Sequence, residues 1–133
     1  MGPRDMTNQP AAASLYERLG GEAAIMAAVD RFYAKVMADE LTRPFFSGLD
    51  MEAQIRKQVA FMSWAFGGPE RYNARGLRQA HAKLVRDRGL GDGHFDAVAK
   101  HLKATLEELG VAPALVEEAL SIVAGTRKDV LGR

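Results

Sequence analysis

Leu77-Arg78-Gln79-Ala80-His81-Ala82-Lys83-Leu84-Val85 is the stretch on which the fold turns. At 3.6 residues per turn, Leu77, Leu84 and Val85 fall within about 60° of His81 around a helix axis, so the segment reads as a short amphipathic helix with an imidazole on its apolar face. Burying that ring without a hydrogen bond costs roughly 1–3 kcal/mol. His81 therefore needs a partner, either a nearby acceptor or a metal at its free nitrogen. Alone, a histidine on an apolar face is more often a satisfied core residue than a ligand, and residues elsewhere must decide between the two.

Outward from that helix the chain is punctuated by glycine and proline, and no convincing period-2 strand interrupts it. The class is all-α. Before the histidine helix, Glu70 to Gly76 reads as an irregular loop; after it, Arg88-Gly89-Leu90-Gly91-Asp92-Gly93 reads as a glycine-rich break. Ser14 and Glu17 have the spacing of a capping box, which predicts a short helix ended by Gly20-Gly21. Between Glu22 and Asp39 a longer helix carries Ile25, Val29, Phe32 and Val36 on one stripe, with Tyr33 at its flank. Leu41 to Phe46, interrupted by Pro44, is too short for a full helix and reads as a tight turn with two inward aromatics.

Asp50 caps a third helix reaching about Phe66, stopped by Gly67-Gly68-Pro69. On it Gln54, Gln58 and Phe61 project within about 60° of one another, which draws at least one amide onto or beside the buried face. Two long helices close the domain. Phe95, Val98, Leu102, Leu106 and Leu109 align on the first, and Pro113 opens the second, with Leu115, Ala119, Ile122 and Val123. Residues 1–13 read as a flexible lead-in to a single domain over 14–133, with Met6 a candidate natural start.

Composition narrows the function classes. A chain of 133 residues that is 47% hydrophobic suits one core. Eighteen Lys plus Arg against seventeen Asp plus Glu give +1, without a block of like charge, so a nucleic-acid footprint is not indicated. The absence of cysteine excludes disulfides, thiolate metal sites, iron–sulfur clusters and a thiol nucleophile. No apolar run reaches about 18 residues and no signal-peptide pattern opens the chain, which points to a cytoplasmic protein and not a membrane one. The glycine clusters lack a strand-turn-helix context, so they read as hinges between helices and not as phosphate cradles.

An inward histidine, inward amides, a phenol at a core edge and a Phe-Phe turn together ask for a flat apolar ligand with one polar centre. Heme meets that description, with iron on His81 and with Tyr33, Gln54 and Gln58 donating hydrogen bonds to a small ligand on the opposite face. One glutamine amide accepting from Tyr33 would fix the phenol while its own NH2 donates onward.

Ser14-Leu-Tyr-Glu-Arg-Leu-Gly-Gly-Glu, Asp30-Arg-Phe-Tyr-Ala-Lys-Val, Phe45-Phe46-Ser-Gly, Phe66-Gly-Gly-Pro69 and Ala80-His81 strongly resemble the group I truncated hemoglobins, cyanobacterial and bacterial members among them. The motifs keep the family's order over about residues 14 to 131. The resemblance implies a truncated globin, a two-over-two helical sandwich around noncovalent heme b, with His81 as iron ligand. It implies Phe46 as the aromatic packing on heme, Tyr33 as the distal tyrosine, and Gln54 and Gln58 as the distal-helix positions facing ligand. Phe32, Phe61 and Met62 match pocket walls, and Leu77 and Tyr72 join them as cofactor contacts.

Lys57 is solvated or paired with a propionate, or it supplies a sixth iron ligand, as this position does in some relatives. Arg75 and Arg78 are candidate propionate partners. His94 and His101 fall roughly 100–120° off the apolar stripe of their helix and are expected to face solvent. The stretch Gly125-Thr126-Arg127-Lys128-Asp129 lacks the histidine through which some relatives link heme covalently.

The expected function is reversible binding of dioxygen, nitric oxide or carbon monoxide by a monomer, with nitric oxide dioxygenation when a reductase supplies electrons. The alternative is a hexacoordinate redox or electron-transfer protein with Lys57 as distal ligand. A cofactor-free helical interaction module is a third class.

Overall fold

The computed structural model describes residues 13–68 and 74–133, with the side chains of residues 74 and 75 outside the description. Tyr72 and Arg75, both named from the sequence as candidate contacts, therefore lie outside the described side chains. The helices are α1 (Leu15–Leu19), α2 (Gly21–Ala38), α3 (Met51–Ala65), α4 (Ala74–Arg88), α5 (Asp92–Glu108), α6 (Pro113–Ala124) and α7 (Arg127–Leu131), with a 3-10 turn over Arg43–Phe46. No strand occurs among the described residues.

Local chemistry sets most boundaries. The Ser14 hydroxyl accepts from Glu17 N–H at 3.1 Å while the Glu17 carboxylate accepts from Ser14 N–H at 3.2 Å, the reciprocal box expected at α1. Asp50 accepts from the amides of Glu52 and Ala53 at the start of α3, satisfying donors that a helix start leaves orphaned. At the end of α3 the chain needs glycine for a steric reason: a Cβ on Gly68 would sit 2.7 Å from the Tyr16 ring and 2.9 Å from the Ser63 carbonyl oxygen. That close approach ties α1 to α3, where Tyr16 N–H donates to the Phe66 carbonyl at 2.8 Å.

The core joins the stripes of α2, α5 and α6, with Ile25, Val29, Val36, Leu102, Leu106, Val116 and Ala119 all buried. α2 packs against α3 and α5, and α5 against α6, giving one helix pair laid on another.

Three features depart from the sequence reading. The histidine helix is not short: α4 runs through Ala74–Arg88, taking in Ala74 to Gly76, which read as loop. α5 starts inside the glycine-rich break, at Asp92, because the Gly91 amide finds an acceptor in His94 Nδ1 at 3.0 Å. Finally α7 is a separate five-residue helix, packed chiefly against α4 and also reaching α5.

Candidate functional site

Between these layers lies a cavity of about 420 Å³, walled by α2, α3, α4, α5, the 3-10 turn and the ends of α6 and α7. That volume falls within the roughly 300–1,000 Å³ of small-molecule and cofactor sites. Phe32, Tyr33, Phe46, Gln54, Lys57, Gln58, Phe61, Met62, Leu77 and His81 all line it. Residues from four segments of the chain, chosen for one pocket, are thus brought to one pocket. Phe45 and Leu84, read from the sequence as inward-facing, line it too, and the sequence reading missed Thr42, Leu49, Leu90, His94, Val98, Ala99, Thr126 and Val130, which line it as well.

His81 is half-buried on α4, and its Nδ1 lies 2.9 Å from the Leu77 carbonyl oxygen. A carbonyl only accepts, so the proton sits on Nδ1 and Nε2 keeps its lone pair. Among the described residues nothing donates to that nitrogen. A backbone carbonyl one turn back is the orienting partner that metal-bound histidines commonly have.

His94 has the opposite arrangement. Gly91 N–H donates to its Nδ1, so the neutral ring carries its proton on Nε2 and has no second lone pair to give. The expectation that His94 faces solvent is corrected: the ring lines the cavity and packs edge-on against Phe45 at 4.7 Å. Its position on the first turn of α5, bonded back to the N-cap, turns it away from where an ideal helical wheel puts it. His101 is corrected likewise. Its Nε2 lies 2.7 Å from Asp39 Oδ2, and its side chain is 19% exposed. Asp39 is held below its ordinary range first by the Leu41 amide on Oδ1 and then by His101.

Across the cavity Tyr33 is buried, with its ring edge-on to Phe32 at 5.3 Å and to Phe46 at 5.5 Å. Its hydroxyl contacts the backbone carbonyl of Gln54 at 3.5 Å. That is too long for a good O–H···O bond, so the phenol keeps most of its donor capacity. The expected bond to a glutamine side chain is not what the structure has: the backbone of Gln54 takes that place. Burial pushes the Tyr33 phenol up to about 12, keeping it neutral and a donor. Gln54 and Gln58 are half-buried on α3, and neither carboxamide is hydrogen-bonded among the described residues. Lys57 lines the cavity between them but is exposed. Arg78, read as a propionate partner, is engaged instead with Asp129 at 3.0 Å.

A family model described as bacterial-like globin matches residues 14–131. The group 1 truncated hemoglobin GlbN of Synechocystis sp. is 45% identical over 124 residues, 91% of this chain and 99% of that protein. The chain belongs to the group 1 truncated hemoglobins. The Tetrahymena pyriformis group 1 truncated hemoglobin is 43% identical, covering 90% of this chain and 96% of its own. Among solved structures, the 2/2 hemoglobin of Synechococcus sp. PCC 7002, in the cyanomet state with covalently attached heme, matches with a TM-score of 0.86 at 50% identity. It spans 91% of this chain and 100% of that one. The Fe(III) Tetrahymena pyriformis structure matches at 0.81 and 43%, with coverage of 91% and 100%.

The fold class read from the sequence is therefore that of a truncated 2/2 globin, and the cofactor is heme iron. The pocket fits it: a largely apolar cavity, one imidazole with a free lone pair, and an under-bonded buried phenol. Among the described residues no helix is long and apolar enough to cross a membrane.

Proposed function

We propose that the chain reversibly binds dioxygen and other diatomic ligands, nitric oxide and carbon monoxide among them, at heme b held noncovalently by His81. The observation that carries this is the pairing of a ligation-ready Nε2 on α4 with the under-bonded Tyr33 hydroxyl and two carboxamides that have no hydrogen bond among the described residues, all in the same cavity. Heme iron, when bound, supplies an open coordination position for the gas.

His81 holds the metal, oriented by the Leu77 carbonyl. Tyr33, Gln54 and Gln58 donate to the charge that a gas draws onto itself, and donation to a charged acceptor is worth roughly 1.5–3 kcal/mol. Phe32, Phe46, Phe61, Met62 and Leu77 exclude water and pack on the ring. The Tetrahymena pyriformis structures include a tyrosine-to-phenylalanine and two glutamine-to-glutamate variants, spaced along that chain as Tyr33, Gln54 and Gln58 are here. That spacing supports assigning these three to ligand contact. Noncovalent attachment is supported by the sequence, in which no histidine occurs after His101; Thr126, between α6 and α7, lines the cavity.

We further assign nitric oxide dioxygenation to this site when a reductase supplies electrons, in a cytoplasmic monomer. Stopped-flow mixing of the oxy form with nitric oxide tests it: rapid loss of the oxy spectrum with nitrate formed, and turnover with a reductant, are expected. A slow reaction without turnover leaves gas binding alone. The second reading is a hexacoordinate redox protein, favoured by Lys57 lining the cavity next to both glutamines. A five-coordinate high-spin ferrous spectrum refutes it.

A further inference from the structure

α4 carries the proposed iron ligand, yet its principal packing partner is α7, which is only five residues long. So short a helix does not hold its conformation by propensity and depends on what it docks against. The docking is explicit. Leu131 is buried, and Arg127 reaches two carboxylates of α5, Asp92 at 2.9 Å and Asp96 at 2.6 Å, while its guanidinium covers the Phe95 ring at 4.5 Å. Arg133 adds a bidentate pair to Asp92 at 2.8 and 2.9 Å. Asp92 is correspondingly held below its ordinary range, first by Arg133 and then by Arg127.

From α7 the chain of contacts turns to α4. Asp129 accepts from Arg78 Nη1 at 3.0 Å, and the Arg133 carbonyl accepts from the same nitrogen at 3.3 Å. Arg78 stands three residues before His81, one helical turn away, so it fixes the turn that presents the imidazole. Leu77, whose carbonyl sets the His81 tautomer, is its immediate neighbour. The other end of α4 is tied separately, where Arg88 donates to the Pro44 carbonyl at 2.6 Å.

We propose that α7 is a latch on the proximal helix, in which Arg127 fastens α7 to α5 and Asp129 holds Arg78, so that both are positioning residues for His81. This rests on the reading of His81 as the iron ligand. The latch sets how the imidazole is aimed and how readily the cofactor leaves, because α4 must lift off α7 to release it. Since the pairs are partly exposed, salt weakens the latch.

The test uses the heme-loaded full chain with Asp129→Asn, Arg78→Gln and the charge-exchanged double variant Arg78→Asp/Asp129→Arg. Two quantities are read: the rate of hemin transfer to an excess of apomyoglobin at low and high salt, and the iron–histidine stretching band after photolysis of the ferrous carbonyl form. Each single variant is expected to lose hemin roughly fivefold faster at low salt and to shift the band. The wild-type rate should rise with salt to meet the variants, and the exchanged pair should recover most of the difference. Unchanged rates and an unmoved band in both single variants overturn the latch, as does faster loss with an unmoved band, which marks a merely structural pair. His81→Ala separates the two claims. If that substitution leaves the band in place, the reading of His81 fails and the latch with it; if it abolishes the band while Asp129→Asn changes nothing, only the latch fails.

Discussion

Replacing Tyr33 by phenylalanine separates what the phenol does for the fold from what it does for a ligand. Among the described residues the hydroxyl has a single hydrogen-bond contact, at 3.5 Å to the Gln54 carbonyl, beyond the distance at which an O–H···O bond contributes much. The ring keeps its packing against Phe32 and Phe46 in the variant, so Tyr33→Phe should change unfolding free energy by no more than about 0.5 kcal/mol near neutral pH. Toward a gas that draws negative charge the same hydroxyl is worth roughly 1.5–3 kcal/mol, and its loss should speed dioxygen dissociation about tenfold to a hundredfold.

Burial also sets a pH signature. The phenol is raised from 10.0 to about 12 in the folded chain, so its contribution to stability is fully present below pH 10 and is lost between pH 10 and about 12, as the unfolded chain ionises first. Two units correspond to a loss of up to about 3 kcal/mol, and the Tyr33→Phe variant should lack that part of the alkaline decline. Stopped-flow displacement of dioxygen by carbon monoxide gives the rate, and urea unfolding from pH 7 to 12 gives the stability. A dissociation rate within twofold of wild type, or a neutral-pH loss above about 2 kcal/mol, refutes the reasoning.

Thr105 on α5 is wholly buried, and its hydroxyl has no hydrogen-bond partner among the described residues; an unpaired buried hydroxyl costs roughly 1–3 kcal/mol. Thr105→Val should therefore stabilise the chain by about 1 kcal/mol, read as a raised urea midpoint with an unchanged slope, and a lowered midpoint contradicts it. Asp39 lies below its ordinary 3.8 in the folded state, so its contribution is present above about pH 4 and is lost as pH falls through the folded value. Asp39→Asn should be less stable than wild type at pH 7, and the two should converge in acid; a gap that persists to pH 2 rules out that linkage.

The helices whose apolar stripes are long and regular were legible in the sequence, as were the caps at Ser14 and Asp50, because those signals lie within a few residues of one another. The cavity wall was legible wherever a polar group interrupted such a stripe, as at His81, Gln54 and Gln58. What escaped depends on distant or irregular contacts. His101 pairs with Asp39, sixty-two residues away in the chain, and no local spacing announces that. His94 occupies the first turn of α5, where a bond to Gly91 rather than helical phase sets the ring. α7 has too few residues to display a period, and its place is fixed by ion pairs to α5 and α4. Tyr33 was read correctly as standing at the core edge, but its acceptor, a backbone carbonyl, carries no mark in the residue types.

His81 Nε2 is the proposed iron ligand. The most direct measurement is the absorption spectrum of hemin-loaded protein in ferric, ferrous and carbonyl forms, for wild type and His81→Ala side by side. His81→Ala is expected to abolish the histidine-ligated spectra or the retention of heme altogether. Identical spectra and equal heme content in the two proteins would contradict it.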